Sequence, residues 1–203
     1  MAVSGSKNFN IDVSDAIEEA YERCGVEVRT GYSLRTARRS LNLMLAEWAN
    51  RGVNLFSLEQ VTTTLTQGTS NYTLGIETVD ILEMVLRRNN TDVTMTRMSR
   101  ADYLHLPNKT TQGRPSQIFV DRQVNPVLYL WATPENSTDQ IIYYRLVRID
   151  DADDYNNDFD VPFRFYPCLV SGLAYYLSMK VSPDRVNLLK GVYDEEFARA
   201  ATE

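Results

Sequence analysis

At 203 residues the chain is long enough to bury a substantial core without disulfides, and its 43% hydrophobic and 24% charged residues exclude wholesale disorder or a collagen-like chain. A formal net charge of -6 sets the surface against a nucleic-acid backbone and disfavours tight nonspecific DNA binding. The start, Met1 to Lys7, lacks the apolar core of a signal peptide and no later apolar run is long enough to cross a bilayer, so the expectation is a protein made and used in a cytoplasm.

Residues 12–24 put Val13, Ile17, Ala20 and Cys24 on one stripe, with Asp15, Glu18, Glu19 and Glu22 elsewhere, which predicts an amphipathic helix stopped by Gly25. A second helix is expected to start at Ser33, a suitable N-cap, and to carry Leu34, Ala37, Leu41, Met44, Leu45 and Trp48 as far as Arg51-Gly52. From Leu55 the pattern turns to β. Gln60 to Leu65 is β-branched, and the turn formers Gln67-Gly68-Thr69-Ser70 lead into Asn71-Tyr72-Thr73-Leu74, so the two segments read as a hairpin. Residues 79–87, with Ile81, Leu82, Met84, Val85 and Leu86, predict a buried strand that turns at Asn89-Asn90 into a strand over 93–98. One helical turn is expected over 99–103, closed by Pro107, and a polar surface loop over 109–115. Three more strands are predicted over 117–121, 127–132 and 140–148, the last two joined by Thr133-Pro134-Glu135-Asn136-Ser137.

An acidic stretch over 150–160 returns the chain to helix. Residues 165–179 are apolar on nearly every side and predict the most buried helix. Ser182-Pro183-Asp184 opens a last helix, with Ser as N-cap and Pro at the first helical position, whose stripe is Val186, Leu189, Tyr193, Phe197 and Ala200. The expected fold class is α+β: a four-helix bundle of two N-terminal and two C-terminal helices with an inserted antiparallel β-rich module. Residues 1–54 form the N-terminal helical half of the bundle, 55–148 the β-rich insertion, and 149–203 the acidic linker and the C-terminal helical half.

Catalytic patterns are sparse. His105 is the only histidine, with no nucleophile motif beside it, and no Gly-x-Ser-x-Gly or phosphate-cradling glycine loop occurs. Cys24 and Cys168 fall in helical patterns far apart, which predicts buried free thiols rather than a metal site or a disulfide. The run Asp150, Asp151, Asp153, Asp154, Asp158 and Asp160 reads as a solvated linker in preference to a calcium loop, because the turn glycine and closing glutamate of an EF-hand are missing. Glu18, Glu19, Glu22 and Glu47 read as the wet faces of helices in preference to a glycosidase pair. No catalytic, cofactor-binding or metal-binding set is therefore predicted. The basic cluster Arg29, Arg35, Arg38 and Arg39 has three possible partners: the acids of the first helix, a DNA phosphate, or an acidic face on a neighbouring subunit. The overall negative sign favours pairing within or between subunits, which makes Arg35, Arg38, Arg39, Glu18 and Glu22 the candidate interface residues.

Three blocks carry a family resemblance: Thr36-Ala37-Arg38-Arg39-Ser40-Leu41-Asn42-Leu43-Met44-Leu45-Ala46-Glu47-Trp48-Ala49-Asn50-Arg51-Gly52; Leu65-Thr66-Gln67-Gly68 before Tyr72-Thr73-Leu74; and Asp160-Val161-Pro162-Phe163-Arg164-Phe165 leading into the Tyr-rich helix. With the order of elements, they make the sequence similar to the head-to-tail adaptors of short-tailed bacteriophages (podoviruses), the tail tubular protein A or packaged-DNA-stabilisation family. The resemblance implies a non-enzymatic structural virion protein without cofactors. In that role, likened copies form a ring of twelve beneath the portal protein, lengthen the DNA channel, and offer a platform to the tail nozzle protein and to the tail fibre or tailspike. DNA would pass through the channel without sequence-specific binding, with no membrane involved, and the protein would reside in the virion neck after assembly in the host cytoplasm. Two other readings stay open at this point: a virion-associated peptidoglycan hydrolase using Glu18 or Glu22, and a DNA-end plug using Arg35, Arg38 and Arg39 whose duplex affinity would fall steeply with salt.

Overall fold

A computed structural model describes residues 5, 9–27, 31–52 and 57–202. Arg29 of the basic cluster and the expected start of the β module at Leu55 lie outside the described residues. The fold is mixed α+β, with five helices among the described residues: α1 Val13–Cys24, α2 Gly31–Asn50, α3 Arg100–His105, α4 Tyr166–Val181 and α5 Val186–Ala201. The chain divides into two compact units, one of Met1–Phe56 with Ile149–Glu203 and one of Ser57–Arg148.

In the helical unit, α4 packs against α1, α2 and α5. Its burial on nearly every side, including Cys168, Leu169, Val170, Ser171, Gly172, Leu173 and Ala174, follows from its apolar composition. Gly172 makes the packing close: a Cβ there would lie 2.5 Å from Met44 Sδ on α2 and 2.7 Å from Tyr193 Cε2 on α5. Helix α1 starts where the Asp12 carboxylate accepts the Asp15 N–H at 2.8 Å. It stops at Gly25, whose φ of 75° suits a residue without a side chain and lets the Gly25 and Val26 N–H groups reach the Glu22 and Tyr21 carbonyls at 2.8 and 3.1 Å. Helix α2 begins at Gly31, so Ser33 lies inside the first turn and is not the cap; its carbonyl accepts the Tyr21 hydroxyl at 3.0 Å.

Two further expectations are corrected in this unit. Ser182 makes no side-chain cap bond: residues Pro183–Arg185 form a 3₁₀ turn, the Ser182 hydroxyl faces the Asp184 carboxylate at 3.4 Å, and α5 begins only at Val186. The acidic stretch is no freely solvated linker. Its backbone lies along α1 and α2, with the Val13 and Ser14 N–H groups donating to the Asn157 and Tyr155 carbonyls at 3.2 and 2.9 Å. Asn42 clamps the buried Ala152 from both sides, accepting its N–H at 2.8 Å and donating to its carbonyl at 3.4 Å.

The core of the unit holds one polar chain. The Trp48 indole N–H donates to the Tyr193 hydroxyl at 2.8 Å, and that hydroxyl donates to Glu47 Oε2 at 3.1 Å. Glu47 also accepts from Arg51, whose guanidinium lies over the Phe197 ring at 4.4 Å.

The second unit has ten strands: β1 Leu58–Thr64, β2 Asn71–Thr73, β3 Thr78–Arg88, β4 Thr91–Thr94, β5 Thr96–Arg97, β6 Gln112–Gly113, β7 Gln117–Asp121, β8 Val127–Trp131, β9 Thr133–Pro134 and β10 Gln140–Val147. They form sheets of order β1-β10-β3-β4 and β2-β8-β7-β5, with the short pair β6-β9. The first sheet is antiparallel throughout. Leu86, Met84, Ile141 and Tyr143 from it share a core with Ile118, Val120, Leu128 and Leu130 from the second. On the second sheet's other face, Tyr103 of α3 stacks on Phe119 at 5.0 Å and meets Tyr129 at 5.1 Å.

The segment expected as a buried strand is instead half-buried, because β3 alternates: Ile81, Met84 and Leu86 point inward. Register shifts against β10 skip Leu82 and Val79, and both are exposed. The Asn89-Asn90 turn has positive φ at both residues, 49° and 59°, as a two-residue hairpin requires. The strand expected over 93–98 is broken at Met95, where the chain leaves β3 and runs on as β5 parallel to β7. Part of the expected loop over 109–115 is β6, parallel to β9.

Candidate functional site

The predicted interface residues all belong to the helical unit. Helix α1 buries Val13, Ala16, Ile17, Ala20, Tyr21 and Cys24 and turns Glu18 and Glu22 to solvent on consecutive turns. Neighbouring acids are already engaged: Glu19 pairs with Arg23 at 2.8 Å and Glu47 with Arg51. Among the described residues, Glu18 and Glu22 have no ion-pair partner, and they line none of the cavities described below.

On α2 the core face is Ala37, Leu41, Met44, Leu45 and Trp48. This leaves Arg35, Arg38, Arg39, Asn42 and Leu43 to line a shallow groove of about 370 Å³. The arginines are not equivalent. Arg38 is tied down, its guanidinium donating to the Asp153 carbonyl and lying 5.5 Å from the Tyr155 ring. Arg35 and Arg39 are exposed one turn apart; among the described residues Arg35 reaches only the Gly31 carbonyl at 3.4 Å and Arg39 has no polar partner. The structure thus brings the three arginines into one groove and leaves Glu18 and Glu22 on a different helix, unpaired with them. Asn42 and Leu43 were missed as groove residues. The available signal was Leu43, an apolar residue off the core stripe and 58% exposed.

The acidic stretch bounds a cavity of about 510 Å³ whose lining includes Asp150, Asp151, Asp153, Asp158 and Asp160. The Asp153 carboxylate is spent on the Asp154 N–H and the Asn157 amide, at 2.7 Å each. No group of three or more histidines, cysteines or acids able to hold a metal ion exists among the described residues. His105 ends α3, exposed, with the Asp102 carboxyl of the same helix held below its ordinary range first by the Ser99 hydroxyl. Both cysteines are buried and free. The Cys24 thiol faces the Ala174 carbonyl at 3.3 Å, and burial pushes the Cys168 thiol up to about 12, which keeps it protonated and a poor nucleophile. A third groove, of about 240 Å³, lies on the outer face of the first sheet between Gln60, Thr62, Val85, Ile142 and Tyr144.

No described helix is long and apolar enough to cross a membrane. The arrangement offers charged helical faces for docking and, among the described residues, no gathered nucleophile, base and acid. Compared with known proteins, the chain matches the model of the family described as SU10 adaptor protein over residues 11–203. No curated protein matches it.

Proposed function

Because this chain belongs to the SU10 adaptor protein family, which makes it a structural head-tail adaptor of a phage virion, we propose that it forms a closed ring of about twelve copies beneath the portal protein, as in short-tailed phages. In this reading its four long helices act as one bundle that builds the ring. The ring extends the DNA channel and gives the tail nozzle and the tail fibre or tailspike a platform. Residues 1–54, 55–148 and 149–203 then serve as the N-terminal half of the bundle, the β insertion, and the linker with the C-terminal half. The observation that carries the reading is the family match, which spans both the helical unit and the β unit.

Physics supports it in two ways. A net charge of -6 suits a channel wall along which DNA slides, since phosphates are not captured by an acidic surface. The exposed charged faces of α1 and α2 give the helical unit surfaces for a neighbouring subunit or the portal, with Glu18, Glu22, Arg35, Arg38 and Arg39 as the interface residues. Electron microscopy of the purified chain mixed with the portal protein tests the proposal. Rings coaxial with the portal are expected; absence of both portal binding and rings across a wide concentration range would refute it. A monomer in the absence of portal is compatible, because closure on a template gains from mass action.

A further inference from the structure

We propose that the stripe Glu18–Glu22 on α1 of one copy docks into the Arg35–Arg39 groove on α2 of the next, as a head-to-tail contact between copies of this chain. The inference rests on the ring reading and names the surfaces that join its subunits.

Several exposed charges are satisfied locally: Arg23 with Glu19, Arg51 with Glu47, Arg199 with Glu195 and Glu196, Arg87 with Asp92. Among the described residues Glu18, Glu22, Arg35 and Arg39 have no ion-pair partner. Their spacing is the same. Each pair is four residues apart on a regular helix, so each projects two like charges from one face about 6 Å apart along the axis. Two helices laid side by side can therefore set both glutamates against both arginines at once. Within one helix the two like charges repel one another, and an opposite charge beside them relieves that.

The groove also fits a protein better than a phosphate backbone. Its floor carries Leu43, 58% exposed, and the Asn42 side chain, already committed to Ala152. Arg38 is held by the Asp153 carbonyl and the Tyr155 ring, which leaves two available guanidinium groups and an apolar patch. Aligned parallel, Glu18 meets Arg35 and Glu22 meets Arg39, with Leu43 covered one turn further on. The two stripes sit on different helices of one chain, so each copy can offer its glutamates to one neighbour and its groove to the other, a heterologous contact. Repeated by a rotation that closes, such a contact builds a ring.

The test uses full-length protein with portal as template and reads ring formation by electron microscopy and sedimentation. Variant one carries Arg35→Glu and Arg39→Glu, variant two Glu18→Lys and Glu22→Lys. All four positions are exposed or line an open groove, and unchanged circular dichroism checks folding; Arg35→Gln with Arg39→Gln is the milder substitute where a reversal disturbs it. Each variant alone should assemble at least about tenfold more weakly than wild type, because attraction becomes repulsion at two positions per contact. An equimolar mixture of the two should recover rings, with the variants alternating, and raised salt should weaken wild-type rings. Wild-type rings with both variants assembling normally would overturn the pairing and leave the adaptor reading intact. Loss of assembly in each variant with no recovery on mixing would overturn it as well. Salt-sensitive duplex DNA binding that disappears in variant one while its rings persist would reassign the groove to phosphate. A wild type that never assembles on the portal would instead refute the ring reading itself.

Discussion

Replacing Tyr193 by Phe removes one oxygen from a fully enclosed polar site in the helical unit. The Trp48 side chain is 0% and Tyr193 1% exposed, and the indole N–H has the Tyr193 hydroxyl as its acceptor at 2.8 Å. Without that oxygen the N–H stays buried with no partner, and water cannot reach it. The cost is the desolvation of an unsatisfied donor, roughly 1–3 kcal/mol, with little offset because Phe fills the same ring volume. Glu47 loses less, since it is half-exposed and keeps Arg51. A loss of about 2 kcal/mol lowers the melting midpoint of a chain this size by roughly 4–8 °C. Scanning calorimetry or circular dichroism on wild type and Tyr193→Phe reads the shift, with Trp fluorescence as a check that the indole stays buried. A midpoint within about 1 °C of wild type would refute the reasoning and mean that the indole N–H finds another acceptor.

Gly172→Ala should also lower stability: helix propensity favours Ala by about 1 kcal/mol, but the new Cβ meets Met44 and Tyr193, both buried, at 2.5 and 2.7 Å, and overpacking costs about 1–3 kcal/mol. Thermal melts decide the sign, and a higher midpoint would show that the α4 interface yields. In the β unit, Asp139→Ala should be far more damaging than Asp92→Ala, because Asp139 is 3% exposed and holds Arg88 at 2.6 Å, raising the arginine's pKa, while Asp92 pairs with Arg87 on the surface; equal urea midpoints for the two variants would contradict this. Alkali should destabilise the helical unit. Burial raises Cys168 from 9.0 to about 12 and raises Tyr193 above its ordinary 10.0, so the unfolded chain loses these protons first. The Cys168 share is complete below pH 9 and is lost between pH 9 and 12, the Tyr193 share is lost only above pH 10, and Cys168→Ala should remove the part that sets in near pH 9.

What the sequence disclosed was whatever burial writes as a local period. The stripe Val13, Ile17, Ala20 and Cys24 is the buried face of α1, Leu41 to Trp48 that of α2, and the unbroken apolar run is the enclosed helix α4. Asn89-Asn90 was legible because few side chains tolerate positive φ. Partners far along the chain left no local mark. Nothing near Met95 announces that the strand changes sheets, and nothing in the acidic stretch foretells that Ala152 is gripped by Asn42, 110 residues away. Ser182 misled because a Ser-Pro-Asp start suits an N-cap, yet the tight turn between α4 and α5 is 3₁₀. The arginine cluster was readable as a group, but its division into a tied Arg38 and open Arg35 and Arg39 depends on a loop more than a hundred residues downstream.

The β unit is entered and left through neighbouring residues, since the Val147 N–H donates to the Ser57 carbonyl at 2.8 Å where β1 and β10 begin and end. To the helices the folded insertion is therefore a short staple, although it contains roughly 90 residues. Should it melt while the helices hold, they would suddenly have to close a long slack loop, an entropic charge of about 3 kcal/mol. The same stem makes the insertion exchangeable: any domain whose ends meet side by side could replace it without changing the distance the helices must span.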